Sequence, residues 1–310
     1  MNLTAETMLL YLKRLFYLIK NNISYILWFI FYFVLAFLTL SSDDLITEEG
    51  AFVICVILYA VSIFVALVFG EKILKVINGV RPIETKEEKE YLLPLFESVK
   101  TDALRVYPNL PKIELYIIDK MSVNACAIGK HTVAVTKGAI ATFTEEELQG
   151  VILHEFAHIY YGNTTAEILN KIGNGFFTVY IICVNFFFQV LDLLFSDLDD
   201  TDTRHLSGLF KTLFWFIRMS INLSVFLILF VGNVILSGNS RKNELRADRF
   251  AYDTGYGEDL KSALYLLQKI SLGENSHLIE KLCRKHPRLS KRIAQLEDLL
   301  DKDTLQDVMG

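Results

Sequence analysis

Apolar and polar positions divide the chain into long apolar runs and a charged, patterned remainder. Ile23 to Leu40 is a run of 18 residues without a charged side chain, and Ala51 to Phe69 is another of 19. At about 1.5 Å per residue, each spans or nearly spans a hydrocarbon core of about 30 Å. Phe176 to Leu191 continues past Asp192 to Phe195, and a fourth run extends from Trp215 to Leu236. These runs predict transmembrane helices at 23–40, 51–69, 174–195 and 213–236. A buried hairpin packed on a soluble domain would give the last two the same appearance. Residues 1–22 set Lys13, Arg14 and Lys20 among Leu9, Leu12, Leu15, Phe16 and Ile19. They read as a basic interfacial segment leading into the first span. A cleaved signal peptide is the rival, but no small-residue cleavage site follows, so an uncleaved anchor is expected.

Charge orients these spans. The link between the first two carries Asp43, Asp44, Glu48 and Glu49, whereas the flanks carry Lys13, Arg14, Lys20, Lys72, Lys75 and Arg81. The link between the last two carries Asp197, Asp199, Asp200 and Asp202 against Arg204 and Lys211, and Arg241, Lys242 and Arg246 follow. The excess of Lys and Arg inside therefore puts the N-terminus, residues 70–172 and residues 237–310 in the cytoplasm. The two polar segments can then form one domain, although a membrane hairpin separates them in sequence.

The polar remainder has mixed periodicity. Glu84 to Val106 is an amphipathic helix, and Lys112 to Asp119 alternates as a strand. Asn124 to Ile128 and His131 to Thr136 read as a hairpin turning at Gly129-Lys130. After a short helix, Thr144 with Glu147 forms a capping box. Leu148, Val151, Ile152, Phe156 and Ile159 then recur at helical spacing, with Gly162-Asn163 as the stop.

This last helix carries the chemistry. His154 and His158 lie four apart on one face and can hold one Zn²⁺ at about 2.0–2.1 Å. Glu155 is turned by roughly 100° from His154, poorly aimed at the same ion and well aimed at a water bound to it. Two histidines leave a catalytic zinc one protein ligand short. Asn243 to Asp248 offers Glu244, with Asp248 one turn later on the same face, where it could hold the other ring nitrogen of a zinc-bound histidine. A charged, solvated helix start would have the same composition, and spacing alone leaves both readings open.

Composition narrows the classes. Hydrophobic residues make up 52% and charged residues 22% of the 310, which argues against a wholly soluble chain. The net charge of −5 says little about partners, and with no basic block to suggest nucleic acid, no nucleic-acid partner is expected. Cys55, Cys126, Cys183 and Cys283 are far apart, so there is no CxxC metal or redox motif, and a reduced compartment is the simplest reading. His131, His205 and His277 read as ordinary polar positions. Asn185 and Gln189 share a helical face and suit hydrogen bonding between helices, and Arg218 near the start of its run can snorkel.

Several blocks, in order, resemble the HtpX-type integral-membrane zinc metalloproteases, relatives of the prenyl-protein (CaaX) endoprotease. They are Asn124-Ala-Cys-Ala-Ile-Gly129 with Val133-Ala-Val-Thr136, the His154–His158 motif, Ser240-Arg241 followed by Glu244 and Ala247-Asp248, and His286-Pro287 with Arg292. The likeness covers most of residues 85–310, and Asn243 departs from it where such sequences often carry Arg. It implies an α+β zincin-like metalloprotease domain combined with about four transmembrane helices. It also implies one Zn²⁺ per chain, held by His154, His158 and Glu244, with Asp248 behind a ligand and Glu155 as general base. His286 would stabilise the oxyanion or bind substrate, and Arg292 would be structural or would position neighbouring groups. Asn124, Ala125, Cys126 and Ala127 would lie beside a substrate extended along an edge strand.

The expected protein is therefore a bacterial multi-pass inner-membrane endopeptidase with a cytoplasmic active site. It would cleave membrane or damaged proteins in quality control, with substrates and the lipid bilayer as its partners and its oligomeric state unread. A membrane sensor of narrow specificity is the alternative. A structural zinc scaffold is the third reading, and it predicts a closed four-ligand site with no task for Glu155.

Overall fold

The computed structural model describes residues 23–41, 47–196, 204–271 and 289–309. The expected N-terminal segment 1–22, the stretches 42–46 and 197–203, and residues 272–288 with His277, Cys283 and His286 lie outside the described residues. Helix α1 is Ile23–Ser41 and α2 is Glu48–Asn78. Thr47 caps α2 by accepting the Gly50 N–H, and Gly79 ends it at φ 69°. After β1 (Val80–Arg81) and α3 (Lys86–Val106) come β2 (Glu114–Ile118), β3 (Ala125–Ile128) and β4 (Thr132–Thr136). The helices α4 (Lys137–Thr142), α5 (Glu145–Tyr160), α6 (Asn163–Ser196), α7 (Arg204–Asp253), α8 (Gly257–Ser271) and α9 (Leu289–Met309) complete the described chain.

Among the described residues, Glu48–Asn78 and, within α7, Gly208–Leu227 are long and apolar enough to cross a membrane, and Ile182–Leu191 is a shorter apolar stretch. Their outer faces expose Phe52, Ile57, Phe64, Trp215, Phe216 and Phe226, which suits a lipid environment better than water. The helices do not stop where the apolar runs stop. The expected boundaries at 70, 172 and 237 fall inside α2, α6 and α7. No proline lies in any of the three, so nothing interrupts the backbone hydrogen bonds when composition turns from apolar to charged. At 31 residues, α2 is roughly 46 Å long, and its last turns reach the polar domain.

The sheet has the order β1-β2-β4-β3. The β3–β4 hairpin is antiparallel, as its sequence predicts, with Ile128 opposite Thr132 and Cys126 opposite Ala134. Strand β2 runs parallel to β4 and antiparallel to β1, so β4 is central and fully buried while β3 forms an edge. The hairpin turn is held from two sides. Glu71 of α2 accepts the Lys130 N–H at 2.9 Å and the Thr132 hydroxyl at 2.6 Å, and the Thr164 hydroxyl of α6 donates to the Gly129 carbonyl. Gly129 has φ 65°, and a Cβ there would meet the Glu71 carboxylate at 2.3 Å.

Helix α5 forms the centre of the domain. Both halves of its capping box are made: Glu147 N–H donates to Thr144 Oγ1 and Thr144 N–H to the Glu147 carboxylate. Its Leu148, Ile152, Leu153 and Phe156 are fully buried against α3, α7, α8 and the sheet. Gly150 lets α8 approach closely, since a Cβ there would lie 2.7 Å from the Leu260 backbone nitrogen. Phe250 of α7 stacks on Tyr107 at 4.0 Å between ring centroids. These contacts draw the end of α7 onto α5 and set two distant stretches of sequence face to face.

Candidate metal centre

The buried face of α5 presents both histidines to α7. His154 Nε2 lies 3.2 Å from His158 Nε2 and 3.3 Å from Glu244 Oε2, and His158 Nε2 lies 3.4 Å from Glu244 Oε1. The ligand-type atoms of these three residues all fall within 4.8 Å of one another. Two imidazole nitrogens and a carboxylate on a shared centre are a donor set that could hold a metal ion. Glu244 is 3% exposed and Asp248 0%. They sit near the C-terminal end of a 50-residue helix, so the reading of Asn243–Asp248 as a solvated helix start fails.

The ring nitrogens turned away from the centre have different partners. His154 Nδ1 is 3.0 Å from Asp248 Oδ1. His158 Nδ1 is 3.3 Å from the Asn163 amide nitrogen. Arg292, from α9, closes the inner side: its Nε donates to Asp248 Oδ2 at 2.9 Å, its Nη2 to Asp248 Oδ1, and its Nη1 lies 3.3 Å from Glu244 Oε2. The same Nη2 lies 3.2 Å from His154 Nδ1. One buried guanidinium thus faces two buried carboxylates.

The electrostatics follow from this packing. Burial and the nearby guanidinium oppose protonation of His154, but its hydrogen bonds to Asp248 and Glu244 outweigh them and push it up to about 9. The pocket therefore stabilises positive charge at His154, which suits a divalent cation. Burial pushes the Asp248 carboxyl up, and Arg292 with His154 more than reverses this, holding it below its ordinary value. Arg292 is raised in turn, its burial outweighed by Asp248 and Glu244. Glu155 is half-buried on the next position of α5, near enough for its charge to act on Arg292.

Strand β3 packs against α5, the helix that carries His154 and His158. Asn124 is exposed, and Ala125, Cys126 and Ala127 are half-buried. Thr136 N–H donates to the Asn124 carbonyl at 3.0 Å. Alternation from that pair turns the backbone groups of Ala125 and Ala127 away from β4. His131 is remote from the cluster, with Nδ1 2.9 Å from the Lys112 carbonyl. Sequence reasoning did not place Asn163 here, since Gly162-Asn163 reads as a helix stop. Its only signal was its position five residues after His158.

The profile of peptidase family M48 matches residues 95–300. The chain is similar to the protease HtpX homolog of Methylacidiphilum infernorum (isolate V4), 25% identical over 319 residues that cover 93% of this chain and 99% of that protein. It is 25% identical to the protease HtpX homolog of Fusobacterium nucleatum subsp. nucleatum over 76% of this chain and 78% of that one. The match to the Bacteroides fragilis homolog reaches 34% identity but spans 37% of this chain and about a third, 35%, of that relative's length. Among solved structures, S. mikatae Ste24p gives a TM-score of 0.48 at 19% identity, covering 85% of this chain and 61% of that one.

Proposed function

The chain belongs to peptidase family M48, and on that premise we propose that it is a membrane-bound, zinc-dependent endopeptidase resembling the HtpX proteases. The observation that carries the proposal is the convergence of His154, His158 and Glu244 within 4.8 Å, with Glu155 beside them. His154, His158 and Glu244 would hold the zinc. Bound there, zinc supplies Lewis acidity toward a peptide carbonyl and lowers the pKa of a water to about 7.

The chain's own groups do the rest. Glu155 takes a proton from the attacking water and delivers it to the leaving amine. Asp248 keeps the His154 proton on Nδ1 and so leaves Nε2 free to bind. Arg292 fixes Asp248 and balances its charge. The outward backbone groups of Ala125 and Ala127 pair with an extended substrate at the sheet edge, beside Asn124 and Cys126. His286 contributes to the oxyanion or to substrate binding. The substrates are membrane or damaged proteins, cut on the cytoplasmic side in quality control. In support of that side, Lys72, Lys75, Arg81, Arg241, Lys242 and Arg246 follow the apolar segments that lead into the polar domain.

Casein cleavage by detergent-purified protein, read beside its zinc content, tests the proposal. Glu155→Gln should keep zinc and fold while turnover falls by about 10²–10⁴-fold. His154→Ala should lose zinc and activity together. Undiminished cleavage by Glu155→Gln would overturn the mechanism.

A further inference from the structure

His158 presents Nε2 to the centre and Nδ1 to Asn163. A neutral imidazole has one proton, so a nitrogen that gives its lone pair to a metal leaves the proton on the other. At His154 the Asp248 carboxylate, which can only accept, favours the proton on Nδ1, against the Arg292 Nη2 that lies 3.2 Å from the same nitrogen. His158 faces an amide, which has a donating end and an accepting end. With Nδ2 toward the ring, Nδ1 accepts and the proton sits on Nε2, where it blocks a cation. With Oδ1 toward the ring, Nδ1–H donates and the Nε2 lone pair is free. The two amide ends are nearly isosteric, so a half-turn about the last side-chain torsion reaches either arrangement without moving the backbone.

A second observation separates this role from a helix cap. Asn163 is the first residue of α6, one past the capping position, which Gly162 holds with its carbonyl accepting the Ala166 N–H at 3.1 Å. Here Asn163 is 8% exposed, and its Oδ1 is buried without a hydrogen-bond partner among the described residues. That oxygen has no place in the helix cap, and the half-turn would bring it to His158 Nδ1.

We propose that Asn163 is a positioning residue that selects the His158 tautomer and thereby sets the affinity of the centre for zinc. The inference rests on the metal site proposed above. Because the amide serves either tautomer, holding the metal-competent one depends on which of its ends faces the ring, a cost that Asp248 does not impose at His154. A fixed acceptor would remove that cost, and an apolar side chain would leave Nδ1–H unpaired.

The test uses the full chain in detergent. Zinc is titrated against a chromophoric chelator, and thermal unfolding is measured separately in excess chelator. Asn163→Leu should weaken zinc binding by about 10–100-fold, as for other partners of zinc-bound histidines. Asn163→Asp should bind zinc at least as tightly as wild type. Wild-type affinity in Asn163→Leu, or weakened affinity in Asn163→Asp, would overturn the proposal. A purely structural Asn163 would lower chelator-state stability and leave zinc affinity unchanged, which also overturns it. If Asn163→Leu does not accumulate, Asn163→Asp decides alone. Wild type and His158→Ala report on the metal site itself: zinc bound by the first and lost by the second leaves that reading standing whatever the Asn163 series shows, and no zinc in wild type overturns both.

Discussion

The molecule contains two clusters with the same chemistry, one arginine between two carboxylates, and it puts them in opposite surroundings. Arg292 faces Asp248 and Glu244 in the interior, where all three are nearly inaccessible. Arg81 faces Glu88 and Asp119 at the margin of the sheet, with contacts of 2.6 Å to each and with about a fifth of its side chain in water. At the margin, the ion pairs act as a clip. They join β1 to the start of α3 and to the end of β2, and Glu88 also completes the α3 capping box. In the interior, neither carboxylate spends its charge on the arginine alone, since each also faces a histidine of the candidate centre. Water would satisfy any member of the outer cluster that lost its partner. The inner one is nearly inaccessible, so there a charge that lost its partner would be left largely uncompensated.

Breaking each cluster at its arginine gives the largest contrast. Arg292→Leu leaves Asp248 and Glu244 buried without their counter-charge, and removing one partner of a buried ion pair typically costs about 3–5 kcal/mol. The denaturation midpoint in detergent should fall accordingly, with loss of zinc binding. Arg81→Leu should move the midpoint far less. Equal shifts in the two variants would mean that the inner cluster is hydrated and would remove the basis of the comparison.

A smaller effect is expected from Asp248→Ala. It spares the three residues proposed to hold zinc and removes the acceptor at His154 Nδ1. Zinc affinity should fall by about 10–100-fold, measured by chelator competition. Full affinity would show that Arg292 and burial alone orient the ring.

How much of this was legible in the sequence depends on the range of each interaction. The α5 cap and the β3–β4 hairpin are local, and Thr144, Glu147 and Gly129 announce them within a few residues. The parallel pairing of β2 with β4 is not local, and nothing in either strand's alternation names its neighbour. The continuity of α7 was hidden because composition changes near residue 237 while the backbone does not. Glu244 therefore read as equally compatible with an exposed helix start. Resemblance to known sequences favoured Glu244 and Asp248, but neither resemblance nor pattern could bring Arg292 against Asp248 and His154. Those contacts cross 44 and 138 positions of the chain and exist only once α9 has packed on α7. Glu71 shows the same limit: it reads as one more charge flanking an apolar run, and its hydrogen bonds to Lys130 and Thr132 appear only in the folded chain.

The outer cluster yields the smallest effect and the sharpest control. Hydrogen bonds from Arg81 hold the Glu88 carboxyl down to about 2, and Arg81 followed by Lys137 holds Asp119 well below the carboxylate range. A carboxyl whose pKa is depressed in the folded state adds stability that is fully present above its unfolded value, about 4.3 for Glu. That stability is lost as pH falls through the folded value. Glu88→Gln keeps an oxygen for the α3 cap and removes the charge. The midpoint difference between wild type and Glu88→Gln should therefore be constant from pH 5 to 8 and close between about 4.3 and 2. Salt should also narrow it at neutral pH, because at about 1 M the screening length falls to about 3 Å. The Arg292→Leu difference, arising among groups that are nearly inaccessible, should survive the same salt. A gap for Glu88→Gln that persisted at low pH would mean that the clip is held by geometry instead of charge. The two arginine clusters would then differ in burial but not in how far burial governs the strength of their charges.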